Sequence, residues 1–275
     1  MFDVALEFDL DSIQAFQKKV MQWWEENARN LPWRHNPSPY NVLVSEIMLQ
    51  QTQVSRVIPK YEEFIREFPN LEDLAAAETK HLLRVWSGLG YNRRALWLRD
   101  AANEIVKRGD FPIEVKELRR LKGIGDYTSR SILIFAFNKE IAAVDTNIRR
   151  VLIASGFAEE SMSNKEVQEV ADALLLRDKS RDWHNALMDY GSEVLTSSST
   201  GIAPLSRQSC FKGSTRQIRG AIIRTLTGTE SMTSEQLHTR MGLNCDNDTL
   251  ISVLDQLVSE KLIESQSCGE YRISR

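Results

Sequence analysis

Two stretches in the middle of the chain combine residue types that suit chemistry next to a phosphate. Residues 121–128 read LKGIGDYT, with glycines at 123 and 125 ahead of a helix-like run, and residues 144–147 read VDTN. Glycines let the backbone turn tightly and expose amide groups, and amides at a helix start bind phosphate. The pattern predicts a phosphate-binding Gly-x-Gly turn, containing Lys122, Gly123 and Gly125, ahead of the carboxylate of Asp145.

This Gly-x-Gly turn does not fit a dinucleotide-binding fold. Such a fold needs a third glycine and a preceding strand, whereas residues 115–121 are charged, amphipathic and helix-like. A helix-hairpin-helix remains, with its second helix over residues 127–137. From the glycines alone, an ordinary glycine-capped connection between two helices is the alternative.

The elements that must position these residues are mainly helices. Helical periodicity extends over residues 12–194, with breaks near residues 36–37, 88 and 111–112 and at the Gly-x-Gly turn. We therefore predict an all-α domain over residues 1–194 and a linker over 195–215. Residues 216–275 follow as a second domain, with helices at 216–226, 233–241 and 249–261 and strands at 262–265 and 270–273. That order predicts a winged-helix-like unit, used for a DNA groove or for protein contacts.

Composition narrows the function classes. The 275 residues, 42% of them hydrophobic, suffice for roughly two domains. The acidic first residues and the absence of a long apolar run argue against membrane insertion or secretion. Three cysteines, Cys210, Cys245 and Cys268, are too few for a disulfide framework and fit a reducing cytosol.

Overall charge argues against a nucleic-acid partner, but local charge favours one. The net charge is -3, and DNA affinity comes from cations that neutralise phosphates. Cations near the turn and the carboxylate are Arg119, Arg120, Lys122, Arg130, Arg149 and Arg150. They predict a DNA-binding face, with a solvated helical surface as the alternative.

The chain resembles a known family from about residue 24 to residue 191. The blocks that carry the resemblance are residues 31–34 (LPWR), 45–53 (SEIMLQQTQ), 88–91 (GLGY) and the Gly-x-Gly turn. They resemble the helix-hairpin-helix DNA glycosylases, the base-excision superfamily that includes endonuclease III and the MutY-type adenine glycosylases. The resemblance implies two lobes, one from the continuous middle of the chain and the other from the amino-terminal helix and the helices after Asn138, with the active-site cleft between them.

The resemblance also implies the chemistry. Breaking the bond between a flipped base and its sugar resembles glycoside hydrolysis, in which an acid protonates the leaving group and a carboxylate stabilises a cationic sugar. Asp145 matches the family's catalytic aspartate, and Glu46, among apolar neighbours, matches the glutamate that protonates adenine. A helix N-cap and a solvent-facing helix residue are the respective alternatives.

Two further positions bear on the type of glycosylase. Tyr127 stands where endonuclease III-type enzymes carry the strand-cutting lysine, and a phenol does not form a Schiff base. This predicts a monofunctional enzyme, although a packing aromatic is the alternative. Asn147 matches an asparagine that orients the catalytic carboxylate or water; a plain helix-start residue is its alternative.

The remaining matches concern DNA. Gln51 and Thr52 resemble the MutY block that contacts the base opposite the target, and Leu89 and Tyr91 lie in the block that inserts into the stack. Positions near the adenine pocket are matched by Trp33, Arg34 and Asp189. A core tryptophan or an ordinary ion pair gives the same pattern at these last three.

The chain departs from the family in two places. Most relatives hold an iron-sulfur cluster with four cysteines, whereas Leu195 stands at the first ligand position and Cys210 is the nearest thiol. We expect no cofactor. The last 60 or so residues are too short and too helical for the Nudix-like domain that helps full-length MutY proteins detect oxidised guanine.

The sequence thus predicts a monomeric, intracellular DNA glycosylase, cytoplasmic or nucleoid-associated, that excises adenine mispaired with 8-oxoguanine or guanine in double-stranded DNA. A thymine or uracil mismatch glycosylase on the same scaffold is one alternative. A non-catalytic DNA-binding regulator is the other.

Overall fold

The computed structural model describes residues 8–203, 210–242 and 245–275, and most of them are helical, as predicted. The helices are α1 (Leu10–Asn27), α2 (Pro32–His35), α3 (Pro39–Leu49), α4 (Val54–Glu67), α5 (Leu71–Ala75), α6 (Thr79–Trp86), α7 (Arg93–Arg108), α8 (Val115–Leu118), α9 (Asp126–Phe137), α10 (Thr146–Ala154), α11 (Asn164–Ala173), α12 (Ser180–Glu193), α13 (Ser197–Thr200), α14 (Thr215–Thr227), α15 (Ser234–Met241) and α16 (Asn247–Ser259). The strands are β1 (Met232–Thr233), β2 (Ile263–Ser265) and β3 (Glu270–Ile273). Within the described ranges, no helix is long and apolar enough to cross a bilayer.

The described residues form two compact units. Residues 8–42, 113–120 and 124–203 form the first, and residues 43–112, 121–123, 210–242 and 245–275 form the second. The amino-terminal helix therefore shares a unit with the helices after Asn138, as the sequence implied. The continuous middle of the chain is divided, because residues 113–120 and 124–137 also belong to the first unit, and the second unit combines residues 43–112 and 121–123 with the carboxy-terminal part.

In the first unit, the core lies where α1 and α10 pack against α12. The rings of Phe16 and Trp183 meet edge to face, 5.6 Å between centroids. At Gly191 of α12, a Cβ atom would lie 2.9 Å from the carbonyl oxygen of Asn147, closer than side chains approach backbone. A glycine at this position therefore allows α10 and α12 to touch just behind Asp145.

In the second unit, α5 packs on α7 and α4 on α6, and the core includes Phe64 and Trp86, whose ring centroids lie 5.9 Å apart. The carboxy-terminal helix α14 packs on α6 of the same unit. The strands form an antiparallel sheet in the order β1-β3-β2. The three carboxy-terminal helices and the β2-β3 hairpin are present, and the short strand β1 joins them. A domain boundary at residue 216 stays a prediction.

The linker differs from its prediction. Residues 195–215 were expected to lack helix, but α13 forms over Ser197–Thr200, and α14 starts at Thr215. Thr196 caps α13 by accepting a hydrogen bond from the amide of Ser199 (3.1 Å), and Gly201 ends it in the left-handed conformation. These polar capping signals need no apolar periodicity, which is why periodicity missed the helix. Residues 204–209 of the predicted linker lie outside the described residues.

Candidate active site

Asp145 caps α10 at the end of an extended segment. Its Oδ1 accepts a hydrogen bond from the amide of Ile148 (2.7 Å), and its Oδ2 accepts one from Nδ2 of Asn147 (3.2 Å). Its side chain is half-buried. The N-cap interpretation of Asp145 is therefore right in structural terms, and capping orients the carboxylate rather than competing with a catalytic role.

The surroundings of Asp145 act on its charge in opposite directions. Burial raises the pKa of the carboxyl group, while the hydrogen bonds from Ile148 and Asn147 and the charge of Arg150 lower it, and burial prevails. The ionised form is thus less favourable here than in water. A carboxylate in such surroundings interacts strongly with a positive charge that develops beside it.

Asn147 is held in one orientation by Arg150. The Arg150 guanidinium donates hydrogen bonds to Oδ1 of Asn147 (2.7 Å) and to the carbonyl oxygens of Gly191 (2.6 Å) and Leu195 (2.5 Å). With its oxygen facing Arg150, the Asn147 amide directs its NH2 group at Asp145. Asn147 is therefore more than a helix-start residue, because it forms part of the support of the carboxylate.

The grouping of Arg149 and Arg150 with the DNA-facing cations was wrong. Their exposed fractions are 8% and 7%, and Arg149 donates hydrogen bonds to the carbonyl oxygens of Glu160 and Met162. Both guanidinium groups are largely buried and donate to backbone carbonyl oxygens, although Arg149 also lines the cleft that contains Asp145. The sequence signal that was available is the i, i+3 spacing of Asn147 and Arg150, which places them on one helix face.

Tyr127 and Asp145 line the same cleft in the first unit. The cleft has a volume of about 660 Å³, within the range of small-molecule sites. Cationic and amide side chains share its lining, among them Arg130, Lys165 and Gln168. A phenol, a carboxylate and cations in one open cleft suit a phosphate-bearing substrate with a positive charge developing near the carboxylate.

His184, which the sequence analysis missed, supports the segment that leads to Asp145. The amide of Ala143 donates a hydrogen bond to Nε2 (3.1 Å), and Nδ1 lies 2.7 Å from the carbonyl oxygen of Ser180. Nε2 must therefore be unprotonated, and Nδ1 carries the hydrogen. His184 is 1% exposed, and burial lowers its pKa to about 4, against the opposing effects of Ser180 and Asp172.

We predict a pH effect on stability from His184. Its folded-state pKa lies below its ordinary value of 6.5, so the unfolded chain binds the proton more readily, and stability is lost as the pH falls from about 6.5 to about 4. The loss is on the order of 3 kcal/mol. The free energy of unfolding, measured by denaturant titration between pH 7 and pH 4.5, should depend less on pH in His184→Gln than in the wild-type protein. The control is His35→Gln, because His35 is exposed. The prediction would be contradicted if the free energy of unfolding changed equally with pH in the wild type and both variants.

The chain forms the predicted Gly-x-Gly turn. The helix before the turn is shorter than predicted, because α8 ends at Leu118 and not at residue 121. Gly123 has a φ of 80°, and a Cβ there would lie 3.0 Å from the Trp97 ring, so both backbone and packing require glycine. Gly125 is the N-cap of α9 and has open space where a Cβ would be. Lys122 is exposed, 3.3 Å from Asp100. Open space beside the start of a helix, where the first-turn amides point out of the helix, suits a backbone phosphate.

The predicted DNA-contacting residues of the second unit come together. Gln51, Thr52, Leu89 and Tyr91 line one pocket. Gln51 and Tyr91 have φ values of 54° and 46°, the left-handed region that side chains other than glycine rarely adopt. Such backbone strain clusters at binding sites. Leu89 is only 3% exposed, whereas Tyr91 is 39% exposed, so the pocket presents Tyr91 to a ligand more than Leu89.

Arg94 connects the two segments that carry these residues. Its buried guanidinium donates hydrogen bonds to the carbonyl oxygens of residues 47, 48 and 50 at the end of α3, at 2.6 to 3.0 Å. It also donates to Oγ1 of Thr52 (3.0 Å) and to the carbonyl oxygens of Leu89 (3.3 Å) and Gly90 (3.2 Å). Burial lowers the pKa of Arg94 to about 10, so it is charged at neutral pH.

We predict that Arg94→Met strongly destabilises the protein. The substitution leaves five carbonyl oxygens without this donor, and buried unsatisfied acceptors are costly, so the free energy of unfolding should fall by about 3 kcal/mol or more. The neighbour Arg93 is exposed over the Trp97 ring, 5.0 Å from its centroid. Arg93→Met should cost about 1 kcal/mol or less in the same denaturant titration. Similar losses in both variants would contradict a special role for Arg94.

Glu46 lies in the second unit, in the carboxy-terminal half of α3. It is 8% exposed, and its helix neighbours Leu43, Ile47 and Met48 are at most 1% exposed. The alternative of a glutamate on a solvent-facing helix surface is therefore wrong. Asp145 belongs to the other unit, and a joint action of the two acids stays a prediction.

Asp189 is saturated by protein donors in the first unit. Its carboxylate accepts hydrogen bonds from Nε1 of Trp24 (3.1 Å), from Nε of Arg29 (2.5 Å) and its amide (3.1 Å), and from both terminal nitrogens of Arg34 (2.7 and 2.9 Å). Burial by itself raises the pKa of Asp189, but the hydrogen bonds and charges of Arg34 and Arg29 hold it below its ordinary value. Trp33 is 8% exposed. Arg34 and Asp189 therefore form the ion pair that the sequence analysis gave as the alternative. A position of these residues near an adenine pocket stays a prediction.

Comparison with known proteins identifies the family. The sequence profile of the HhH-GPD superfamily of base excision DNA repair proteins matches residues 44–175. The adenine DNA glycosylase of Mycolicibacterium smegmatis is 34% identical over 280 residues, which cover 93% of this chain and 95% of that protein. The chain belongs to the HhH-GPD superfamily. Another relative, the adenine DNA glycosylase of Mycobacterium tuberculosis, is 32% identical over 237 residues, 77% of this chain and 78% of that protein.

A solved HhH-GPD structure agrees with the fold. A thermostable thymine-DNA glycosylase superposes with a TM-score of 0.63 at 28% identity, over 68% of this chain and 88% of that one. Together with the relatives, it confirms the helix-hairpin-helix glycosylase scaffold and the resemblance to the adenine-specific members of the superfamily.

The iron-sulfur cluster expected of many HhH-GPD proteins does not fit the residues here. A cluster ligand is a thiolate, and Leu195 stands at the first ligand position with its carbonyl oxygen bound by Arg150. The sequence contains three cysteines, one fewer than a four-thiolate site needs. The end of α12 is instead joined to α10 by the hydrogen bonds of the Arg150 guanidinium to the carbonyl oxygens of Gly191 and Leu195.

Proposed function

We propose that this chain is a monofunctional DNA glycosylase of base excision repair that hydrolyses the N-glycosidic bond of adenine mispaired with 8-oxoguanine or guanine. The observation that carries the proposal is the cleft of the first unit, which holds an oriented carboxylate, Asp145, and the phenol of Tyr127, at the position where strand-cutting relatives carry their lysine. The adenine DNA glycosylases that the chain resembles over most of its length support the choice of base.

In the proposed reaction, Glu46 donates its proton to the flipped adenine. The bond between C1′ of the deoxyribose and the base then breaks, and its electrons leave with the adenine. Asp145 stabilises the positive charge on the sugar, water adds at C1′, and the released proton returns to Glu46. The products are free adenine and an abasic site in an intact strand.

We propose the monofunctional character on the basis of Tyr127. A strand-cutting glycosylase forms a Schiff base between an amine and C1′. The phenol of Tyr127 cannot form this bond, and the amine that does line the cleft, Lys165, comes from α11 and not from the position of the strand-cutting lysine. We therefore propose that strand cleavage is left to a separate enzyme.

The proposal includes function without a metal cofactor, as a monomer, in the compartment that holds the DNA, cytoplasmic or nucleoid-associated. Leu195 and the Arg150 hydrogen bonds at the usual cluster position support the first point. The proposed compartment rests on the family's action on DNA, and the monomeric state is carried over from the sequence as an expectation.

A second candidate is removal of thymine or uracil from mismatches with guanine. The likeness to a thymine-DNA glycosylase favours it. The relatives named adenine DNA glycosylases match a larger share of the chain, which makes adenine the first choice.

One assay separates these functions. The protein is incubated with duplexes that carry A opposite 8-oxoguanine, A opposite G, T opposite G or U opposite G, and each product is analysed with and without alkali. We expect strand breaks in the two adenine duplexes, only after alkali. Breaks without alkali would exclude a monofunctional enzyme, breaks in the T or U duplexes would select the second candidate, and binding without base loss would select a non-catalytic regulator.

A further inference from the structure

We propose that helix α14 reads the base opposite the excised adenine, with Arg216 as a specificity-determining residue for a guanine-type base. This inference rests on the proposed function and identifies the part of the chain that recognises the base on the opposite strand. The winged-helix-like unit (residues 216–275) thereby contributes to base recognition.

The proposal starts from the pocket of the second unit. It has a volume of about 250 Å³ and is built from three separate segments: residues 51–53 with Arg56, residues 89–92, and the start of the carboxy-terminal part with Phe211, Arg216, Arg219 and Gly220. None of the described lining residues is acidic. A pocket rich in amides, guanidinium groups and aromatic rings suits a nucleobase better than a cation.

A direct contact joins α14 to Tyr91. A terminal nitrogen of Arg216 donates a hydrogen bond to the Tyr91 hydroxyl (3.1 Å), and the guanidinium carbon lies 5.9 Å from the ring centroid. Tyr91 belongs to the block that the sequence assigned to insertion into the base stack. Arg216 therefore lies beside the residue that reaches the DNA and limits the positions that the Tyr91 ring can take.

Two strained residues face the same pocket. Gln51 and Tyr91 both have left-handed backbone conformations, and Arg94 holds both segments through their carbonyl oxygens. Strain of this kind persists where the surroundings enforce it, and it is typical of ligand sites. The backbone on this side of the pocket therefore adopts its conformation in the absence of DNA, so it is preorganised for binding.

The chemistry of the pocket indicates a guanine-type base. An arginine pairs with two acceptors on the edge of guanine, and the amide of a glutamine offers both a donor and an acceptor. Phe211 is 58% exposed at the rim and, like Tyr91, offers a face on which a base can stack. Arg219 is paired with Glu260, which assigns it to the wall of the pocket. Of the other two lining arginines, Arg56 and Arg216, we choose Arg216 because it contacts Tyr91.

The test compares Arg216→Met with the wild-type protein. Methionine keeps most of the apolar stem and removes the charge and the donors. Single-turnover adenine release and duplex binding are measured with A opposite 8-oxoguanine, opposite G and opposite an abasic-site analogue that lacks a base. We expect Arg216→Met to lose about 10-fold or more in rate or affinity with either guanine-type base and to match the wild type on the abasic duplex.

Matched variants make the result specific. Arg224→Met removes an exposed cation from the same helix and should leave every duplex unaffected. Tyr91→Phe keeps the ring but removes the acceptor of the Arg216 hydrogen bond, and it should reproduce part of the loss. Thermal unfolding of each variant at the wild-type temperature shows that the fold is retained.

Two outcomes would overturn the inference. An equal loss on all three duplexes would make Arg216 a contact to the DNA backbone, and no loss on any duplex would remove it from the interface. Either can occur while the wild-type protein still releases adenine, which leaves the proposed function standing. A wild-type protein that binds guanine duplexes better than abasic ones but releases no adenine would refute the proposed function alone.

Discussion

Asp145→Asn is expected to abolish adenine release while the protein stays folded and binds its duplex. The variant keeps an oxygen that can accept the Ile148 amide, so the N-cap of α10 is retained. It loses the negative charge that would stabilise the cationic sugar. We expect the single-turnover rate to fall by about 10³-fold or more, as for other preorganised electrostatic contacts to a transition state.

Stability distinguishes this effect from misfolding. Burial raises the pKa of Asp145, so its ionisation costs free energy above its folded-state pKa, and that cost is absent in Asp145→Asn. The variant loses the hydrogen bond from Asn147, about 1 kcal/mol, because two amide NH2 groups then face each other. The two changes oppose each other, and the unfolding free energy should shift by about 1 kcal/mol or less. A large loss of stability, or retained adenine release, would contradict the proposed role.

The pH dependence of release gives an independent check. Asp145 must be ionised to stabilise a cation, and its raised pKa means that the carboxylate is lost at a higher pH than for an exposed aspartate. Adenine release should therefore decline on the acidic side before the protein unfolds. The measurement is a single-turnover rate profile between pH 4.5 and pH 8, with circular dichroism at each pH.

Glu46→Gln is expected to have the second largest effect. Glutamine preserves the shape of the side chain at this buried position of α3 but has no acidic proton to give to the adenine. Loss of a general acid slows a reaction by about 10²- to 10⁴-fold. Single-turnover release from A opposite 8-oxoguanine measures the loss, and duplex affinity should stay near the wild-type value.

A leaving group that needs no protonation sharpens this test. A substrate whose base departs as a stable anion should be cleaved by Glu46→Gln at close to the wild-type rate, because the missing proton no longer limits the reaction. Glu104→Gln, at an exposed position of α7, is the matched control. If Glu46→Gln released adenine at the wild-type rate, the general-acid assignment would fail and Asp145 would be the one acid left in the proposed mechanism.

Local sequence patterns correctly predicted much of the helical scaffold. The second helix of the helix-hairpin-helix was expected over residues 127–137, and α9 runs over Asp126–Phe137. The three helices and the hairpin after residue 215 were also located within one or two residues in most cases. These features depend on caps, glycines and apolar spacing within a few residues, so a single stretch of chain carries the whole signal.

The residue types at the candidate site were also recognisable in the chain itself. Asp145, Tyr127 and Glu46 lie in short blocks whose composition suits base excision, and family membership is confirmed. The sequence did not indicate how these residues are buried or hydrogen-bonded. Burial excluded a solvent-facing Glu46, and capping by Asp145 turned out to be compatible with its proposed role.

Only the tertiary structure could reveal the side chains that support the site. Arg94, Arg150 and His184 each bind backbone groups more than 40 residues away, at Ile47, Gly191 and Ala143 respectively. Their partners are carbonyl oxygens and amides, which every residue possesses, so no residue type in the sequence marks the contact. Periodicity and motifs report which side chains a segment offers, whereas the pairing of a buried cation or imidazole with distant backbone depends on how the helices pack.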